Sequence, residues 1–442
     1  MTPRKPLRIA IAGLGTVGAT AAQLLEANAA LYEQRLGRKV VVTAVSARNL
    51  SKDRGFDMSG IAIEKDAVSL ASRSDVDLVV EVIGGAEGVA KDLAEAALRN
   101  GKAFVTANKA LLAYHGPALA ALAEEKGVPL RYEAAVAGGI PIIKALSQGL
   151  AANKVTSISG ILNGTCNYIL TDMADNGTAF EPVLKEAQRL GYAEADPTFD
   201  IDGWDAAHKT AILAMMAFGV KLDVEQAAVT GIRQIDSVDI AYARELGLCI
   251  RLLGFANLED GWVDVGVGPA LVSLDAPLAA IKGPTNAVLV EADPVGRTVY
   301  EGAGAGGGPT ASAVLADVFD LACSWNAGDT GPIAPIFGTP AAELMPIEPA
   351  PLDHVVGTYY FRLRVGDELG VMAEIAEILA ATGVSIDRLL QRGSAAAGGV
   401  YVVIITHRVT AAQIDAAIKR FAASKAVLET PTLLRVEGVS DT

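Results

Sequence analysis

The sequence feature that most constrains the fold is a glycine-rich run near the N-terminus. Gly13-Leu14-Gly15-Thr16-Val17-Gly18 directly follows an apolar run, residues 8–12, and opens a stretch with helical spacing, residues 17–32. Glycines at these places allow a tight turn, let the backbone approach a pyrophosphate, and let the helix pack closely on the strand. The helix N-terminus adds N–H donors and a positive dipole end. The run therefore predicts a nucleotide-binding strand, turn and helix.

The same pattern repeats through the first third of the chain. Short β-rich runs alternate with stretches of helical spacing: strands at 8–12, 40–46, 77–83, 103–106 and 130–133, helices at 17–32, 87–99 and 117–126. Strict alternation predicts an α/β fold with a doubly wound parallel sheet of the Rossmann type. The strands are continuously apolar, which is typical of a sheet that is covered on both faces.

Stretches rich in glycine and proline divide the rest of the chain into predicted domains. We predict a Rossmann domain over residues 1–137, completed by about 301–330, and an α+β substrate-binding and dimerisation domain over 138–300. Frequent prolines predict a semi-rigid linker over 331–351. Residues 352–442 then show the order βαββαβ of a ferredoxin-like unit.

Charge and cysteine content exclude several classes of partner. With 37 Lys and Arg against 51 Asp and Glu, the net charge is −14, which argues against a nucleic-acid or anionic-membrane partner. The three cysteines and four histidines are scattered, so we expect no His/Cys metal site, no disulfide framework, and a reducing, cytoplasmic location. No uncharged run reaches the ~20 mainly apolar residues that a membrane span needs.

The end of the second predicted strand bears on the choice of cofactor. NAD-binding folds place an acidic residue there to hold the ribose hydroxyls, but this strand ends Ser46-Ala47-Arg48-Asn49. Arg48 is suited to a 2′-phosphate. We therefore expect NADP(H) to be preferred, with NAD(H) possible; the alternative is a solvated basic loop.

A dense group of charges lies between Gly191 and Lys209. Five carboxylates, Glu194, Asp196, Asp200, Asp202 and Asp205, precede Lys209. The helix that follows is apolar nearly all round and is therefore predicted to be buried, with Lys209 near its start. A lysine in such a place can transfer a proton, and carboxylates beside it can hold a substrate ammonium group. A helix cap at Asp202 and a surface ion pair between Asp205 and Lys209 are the structural alternative.

Lys109 is a second candidate cation. It follows the predicted strand 103–106, and ligands of parallel sheets bind beyond the carboxyl ends of the strands. The alternative is a surface lysine beside a helix.

Taken together, these motifs resemble the homoserine dehydrogenase family. The resemblance also includes Ala107-Asn108-Lys109, Ile161-Leu162-Asn163-Gly164-Thr165 and Gly302-Ala303-Gly304-Ala305-Gly306. It implies reversible reduction of L-aspartate 4-semialdehyde to L-homoserine, with Lys209 as proton donor and Lys109 assisting at substrate and cofactor. It further implies Glu194, Asp200 and Asp205 as substrate ligands, Gly306 beside the cofactor, and a structural sodium ion held by backbone carbonyls at Glu133, Val136, Gly138 and Ile140.

The C-terminal unit resembles an ACT domain, a regulatory module that binds amino acids. Asp367-Glu368-Leu369-Gly370-Val371 matches the turn before its first helix, although the usual proline is replaced by Leu369. The resemblance implies L-threonine as the effector and a homodimer or homotetramer.

Two other functions remain open from the residues alone. An aspartate-semialdehyde dehydrogenase would need an activated cysteine, for which Cys166 is the candidate. A non-enzymatic sensor of a nucleotide and an amino acid would bind both ligands without turnover.

Overall fold

The computed structural model describes residues 4–49, 52–259, 261–327, 334–395 and 399–438. The chain divides into two compact units. The first unit consists of Met1–Ile158, Ala207–Ala227 and Asn286–Ile347, and the second of Ser159–Ala206, Ala228–Thr285 and Glu348–Thr442.

The strands and helices follow one another along the chain. Up to residue 161 they are β1 Leu7–Ala12, α1 Thr16–Ala27, α2 Ala29–Leu36, β2 Val40–Ser46, β3 Ala62–Glu64, β4 Leu78–Glu81, α3 Val89–Arg99, β5 Ala103–Thr106, α4 Lys109–Lys126, β6 Leu130–Arg131, α5 Ile142–Lys144 and β7 Lys154–Ile161. The middle of the chain contains α6 Gly164–Asn176, α7 Phe180–Leu190, α8 Thr198–Ile201, α9 Trp204–Phe218, β8 Val220–Lys221, β9 Ala228–Val229, α10 Ser237–Glu245, β10 Leu248–Glu259, β11 Trp262–Ser273, β12 Thr285–Asp293 and β13 Gly296–Ala303. The C-terminal part contains α11 Gly307–Ala327, β14 Met345–Pro346, β15 Val356–Val365, α12 Val371–Ala381, β16 Ile386–Ala395, β17 Gly399–Thr406, β18 Val409–Thr410, α13 Ala411–Ala423 and β19 Thr432–Glu437.

The first unit contains the predicted parallel sheet. Its strand order is β3-β2-β1-β4-β5-β6, with every pair parallel. The central strands are largely buried and are covered by α1, α2 and α11, whose Leu25, Leu36 and Val314 belong to the same buried apolar cluster. Register pairs Ala12 with both Ser46 and Glu81, so the carboxyl ends of β2, β1 and β4 lie together at one edge of the sheet. This edge is where the predicted nucleotide loop begins.

Two helices of the first unit differ from the sequence prediction. The helix predicted at 117–126 begins at Lys109, because the Asn108 side chain caps it by accepting from the Leu111 N–H, and Pro117 lies inside it. The stretch predicted as one helix over 17–32 is two helices, α1 and α2, that meet at Asn28.

Part of the predicted proline-rich linker packs on the first unit. Phe337 is buried with its ring 5.8 Å from that of Tyr132, and the Tyr132 hydroxyl donates to the Ile336 carbonyl at 2.6 Å. Strand β14 pairs with β8. Residues 331–333 of the linker lie outside the described residues.

The second unit contains a long hairpin and the C-terminal module. Strands β10 and β11 are antiparallel over their whole length, and β11 also pairs in parallel with β19. The module has the predicted order, β15-α12-β16-β17-α13-β19, with antiparallel neighbours β19-β15-β17-β16. Its sheet packs on α12 and α13 through Phe361, Ile375 and Phe421, which confirms the ferredoxin-like fold.

Within the described residues, no helix is both long and apolar enough to cross a bilayer.

Candidate active site

The glycine-rich loop has the geometry that a dinucleotide requires. Gly13 has φ +99°, and a Cβ on it would lie 2.7 Å from the Val82 carbonyl oxygen. A Cβ on Gly18 would lie 1.9 Å from the Gly13 oxygen, so helix α1 touches the turn that follows β1. A Cβ on Gly15 would meet nothing within 4 Å. The first and third glycines therefore close the turn, while the second leaves the backbone open to a phosphate.

A second helix N-terminus meets the first beside this loop. A Cβ on Gly307, the first residue of α11, would lie 3.0 Å from Thr16 Cγ2 and from Thr20 Oγ1 in α1. Gly306 precedes it with φ +116°, a conformation that favours glycine. Two positive helix ends thus lie together in the first unit, an arrangement suited to a doubly charged pyrophosphate.

The basic loop after β2 is fixed by a residue to which the sequence analysis assigned no role. Arg54 is buried, and its guanidinium donates to the carbonyls of Leu14 at 3.1 Å, Lys52 at 2.7 Å, and Asn49. It therefore ties the loop that carries the exposed Arg48 to the glycine-rich loop. Sequence reasoning could not separate Arg54 from its neighbouring cations, because burial is what distinguishes it.

Glu81 organises the carboxyl ends of β4 and β5. It is fully buried, accepts from the Ile83 N–H at 2.6 Å, and accepts from the Thr106 hydroxyl at 2.6 Å. The Thr106 oxygen in turn accepts from the Asn108 N–H, and Asn108 caps the helix that Lys109 begins. A buried network of this kind holds Lys109 at the strand end where the sequence predicts it.

The two candidate lysines lie on adjacent helices of the first unit. Lys109 is the first residue of α4, and Lys209 lies in α9, where the residue is 8% exposed. The Tyr114 ring of α4 contacts the His208 ring of α9 edge-on at 5.3 Å. The prediction that the helix of Lys209 is buried is confirmed.

Two of the three candidate carboxylates are joined by one amide. In the second unit, Asn163 Nδ2 donates to Asp200 Oδ1 and to Asp205 Oδ2, each at 2.9 Å. Asp200 also accepts from the Thr165 hydroxyl at 3.2 Å. Asn163 is itself fixed as the N-cap of α6. Glu194 lies in the loop after α7 and is exposed.

The loop predicted to hold sodium is tightly curled. Ala137 and Gly138 have φ of 51° and 29°, and the Gly139 N–H donates to the Ala303 carbonyl at 2.8 Å. The Glu133 carboxylate accepts the N–H groups of Ile143 and Lys144. The side chain of Glu133 is thus committed to the start of α5, which fits a cation site made of carbonyl oxygens alone. Among the described residues no cluster of three His, Cys, Asp or Glu could hold a metal.

Models of known families match most of the chain. Residues 13–133 match the model described as "Homoserine dehydrogenase, NAD binding domain", residues 141–319 match "Homoserine dehydrogenase", and residues 359–423 match "ACT domain". Homoserine dehydrogenase of Neisseria gonorrhoeae is 45% identical over 437 residues, which are 99% of this chain and 100% of the relative.

The chain belongs to the homoserine dehydrogenase family.

Solved structures agree with this assignment. A crystal structure of a homoserine dehydrogenase from Thiobacillus denitrificans superposes with a TM-score of 0.91 at 42% identity, covering 98% of this chain and 99% of that one. A hyperthermophilic archaeal homoserine dehydrogenase in complex with NADPH superposes with a TM-score of 0.61 at 26% identity, covering 71% of this chain and 97% of that one.

Membership of the homoserine dehydrogenase family confirms several expectations. The fold class, the ACT module and the assignment to NAD(P)-dependent oxidoreductases are confirmed. The domain boundaries and the roles of individual site residues stay predictions.

The cysteine-based alternative finds no support in the homoserine dehydrogenase fold. Cys166 is fully buried in α6, where its thiol donates to the Asp200 carbonyl at 3.3 Å. A thiol in that place is inaccessible to an aldehyde, whereas a thiohemiacetal requires an accessible thiolate.

Proposed function

We propose that this protein reversibly reduces L-aspartate 4-semialdehyde to L-homoserine with NADP(H). The observation that carries the proposal is the Asn163 amide that joins Asp200 to Asp205, at the start of the helix that continues to Lys209. Two fixed carboxylates suit the ammonium group of an amino-acid substrate, and a buried lysine on the same helix suits its reacting oxygen.

Each residue has a defined task in the proposed reaction. The bound cofactor supplies a hydride to the aldehyde carbon, and Lys209 gives the alkoxide oxygen its proton, so that one hydride and one proton yield the alcohol. Lys109 adds positive charge beside the developing oxyanion, an effect worth about 3 to 4 kcal/mol for a well-placed donor. Glu194, Asp200 and Asp205 hold the substrate ammonium group.

The cofactor preference rests on local cations. A protein with a net charge of −14 repels anions at long range, so attraction has to come from groups at the site. The two helix ends at Thr16 and Gly307 suit the pyrophosphate, and the loop that Arg54 fixes offers Arg48 to a 2′-phosphate. The NADPH complex of the archaeal relative is consistent with this preference.

The ACT module supports inhibition by L-threonine. Deleting it at Leu352 would be an ambiguous test, because β19 pairs with β11 and the buried Arg362 of β15 donates to Asp239 of α10. The concentration of L-threonine that halves the rate should therefore be measured on the full chain and compared with that of L-isoleucine. Equal inhibition by both amino acids, or by neither, would contradict the proposal.

Three further proposals complete the function. A sodium ion is held by the carbonyls of Glu133, Val136, Gly138 and Ile140, and replacing sodium by tetramethylammonium should lower the melting temperature. The enzyme is cytoplasmic and forms a homodimer or a homotetramer. Light scattering, which measures the molar mass in solution, distinguishes the two oligomeric states.

The deciding assay follows absorbance at 340 nm with L-homoserine and NADP. Lys209→Ala should lower kcat at least about 100-fold, since general acid–base groups contribute roughly 10²–10⁴-fold. Lys221→Ala, a change at an exposed lysine of the same unit, should leave kcat unchanged. Near-normal turnover of Lys209→Ala, or binding of both ligands without turnover in the parent, would refute the assignment.

A further inference from the structure

One short stretch of the second unit contacts both the loop that carries Asp200 and the helix that faces the ACT module. This stretch, residues 230–236, is the connecting segment. It leaves β9, where the Thr230 N–H donates to the Val267 carbonyl at 2.8 Å, and it ends at Asp236, the N-cap of α10. Neither end of the segment takes part in the proposed chemistry, so its contacts call for another explanation.

At its first end the connecting segment lies against the Asp200 loop, residues 197–203. A Cβ on Gly231 would lie 2.2 Å from the Ile201 carbonyl oxygen and 2.5 Å from Asp202 Cα, so the two backbones touch. The Ile232 N–H donates to the same carbonyl at 2.9 Å. Arg233 Nε donates to the Asp202 carboxylate, and the ion pair raises the Arg233 pKa. Any displacement of the segment therefore moves the loop.

At its other end the connecting segment is anchored to the ACT sheet through Asp239. One oxygen of this fully buried carboxylate accepts from the Asp236 N–H at 3.0 Å. The other oxygen accepts from Arg362 Nε at 2.7 Å and from the Tyr360 hydroxyl at 3.1 Å, both in β15. Arg362 is itself fixed by donating to the Thr432 hydroxyl at 2.8 Å.

A buried ion pair of this kind adds little to the free energy of unfolding. Removing two charges from water costs about as much as their attraction returns, so an apolar pair would serve the fold at least as well. Its directed hydrogen bonds, however, fix one relative placement of α10 and β15. That precision matters where a carboxylate must meet an ammonium group, because a displacement of about 1 Å already weakens a positioned contact.

We propose that the connecting segment positions Asp200 for substrate, with Arg233 as the positioning residue at the loop and the Asp239–Arg362 pair as the anchor in the ACT module. The inference rests on the proposed function, since Asp200 is there a substrate ligand. It also gives an effector bound to the ACT module a continuous route of backbone, hydrogen bonds and ion pairs to the substrate loop, wholly within one compact unit.

The first test changes the loop end. Arg233→Met in the full chain should raise KM for L-homoserine about tenfold with kcat within about twofold, because only uniform substrate binding is lost. Arg233→Lys keeps the charge and should recover most of this change in KM. The control is Arg297→Met, which breaks a similarly exposed ion pair with Glu291 in the other unit. Equal KM values for Arg233→Met and Arg297→Met would overturn the proposal.

The second test changes the anchor. Tyr360→Phe removes one hydroxyl and keeps the buried pair, so it should fold, whereas Asp239→Asn removes the buried counter-charge of Arg362 and leaves it only the more exposed Glu429. Tyr360→Phe should raise KM about threefold, and its combination with Arg233→Met should raise KM by less than the product of the single effects. Fully multiplicative effects would show that the anchor and the loop act independently, which contradicts the proposal.

Asp200→Asn separates failure of this inference from failure of the proposed function. If the proposed function is wrong, the parent does not oxidise L-homoserine or Asp200→Asn leaves KM unchanged. If only the inference is wrong, Asp200→Asn raises KM about tenfold while Arg233→Met does not. The Kd for NADPH, measured by fluorescence on each variant, reports whether the first unit is folded.

Discussion

Two carboxylates in the first unit are buried close together, and Asp317→Asn tests what their burial costs. Glu133 and Asp317 are 2% and 1% exposed and line a cavity of about 190 Å³. Asp317 accepts from the Glu133 N–H at 2.8 Å, and the Lys144 ammonium group lies 3.6 Å from Asp317 but only 2.7 Å from Asp320. Lys144 is therefore shared between Asp317 and Asp320, and it does not fully neutralise the charge of either buried carboxylate.

The pKa values give the magnitude and its sign. Burial raises the pKa of Asp317 from 3.8 to about 6, and burial together with the charge of Asp317 raises the pKa of Glu133 from 4.5 to about 7. A pKa raised by folding means that stability is full below the unfolded pKa and is lost as pH rises through the folded pKa. At about 1.4 kcal/mol per pH unit, ionised Asp317 costs the folded state about 3 kcal/mol. The loss is spread between about pH 4 and pH 7.

Asp317→Asn should therefore be more stable than the parent at pH 8 by about 3 kcal/mol, because the pKa of about 6 already includes the attraction between Lys144 and the ionised carboxylate. Asparagine can still accept from the Glu133 N–H. At pH 4 the difference should vanish, because the parent carboxyl is then protonated. The Glu133 pKa should also fall, since a like charge beside it is gone.

The measurement is urea unfolding followed by circular dichroism from pH 4 to pH 8, at constant ionic strength and constant sodium. Only the difference between variant and parent is used, because other groups titrate in the same range. Asp320→Asn is the control: its side chain is 39% exposed and pairs with the same lysine, so its effect should stay below about 1 kcal/mol. A difference for Asp317→Asn that does not grow with pH would refute the reasoning.

Three other outcomes follow from the structure. Gly15→Ala should leave the melting temperature unchanged and raise the Kd for NADPH at least about tenfold, whereas Gly18→Ala should lower the melting temperature, since its Cβ has no room beside the Gly13 oxygen. Arg54→Met should raise KM for NADP more than KM for NAD, because the loop carrying the proposed 2′-phosphate contact loses its buried support; equal changes would exclude a role in preference. An alkylating reagent should modify exposed Cys323, spare buried Cys166 and leave activity unchanged. Loss of activity together with alkylation of Cys166, as detected by mass spectrometry, would contradict this prediction.

The sequence predicted those features that depend on neighbouring residues. The glycine-rich run, the alternation of strands and helices, and the βαββαβ order of the module all follow from local conformational preference and hydrophobic periodicity. One failure of this reasoning in the first unit, the start of α4, also has a local cause. Asn108 and Pro117 are both residues typical of a helix start. The helix begins after Asn108, because its side chain caps the first turn.

The sequence alone therefore determined the family, the fold class and the residue types of the candidate site. Only the tertiary structure decided which of them meet: that Asn163 joins Asp200 to Asp205, that Arg54 rather than Arg48 is buried, that Asp202 pairs with Arg233, and that Asp239 is held by the ACT module. The physical reason is the separation along the chain over which each effect acts. Backbone preferences act over a few residues, whereas burial, pKa values and ion pairs depend on side chains that folding brings together from distant parts of the chain, as it does for Asp239 and Arg362, which are 123 positions apart.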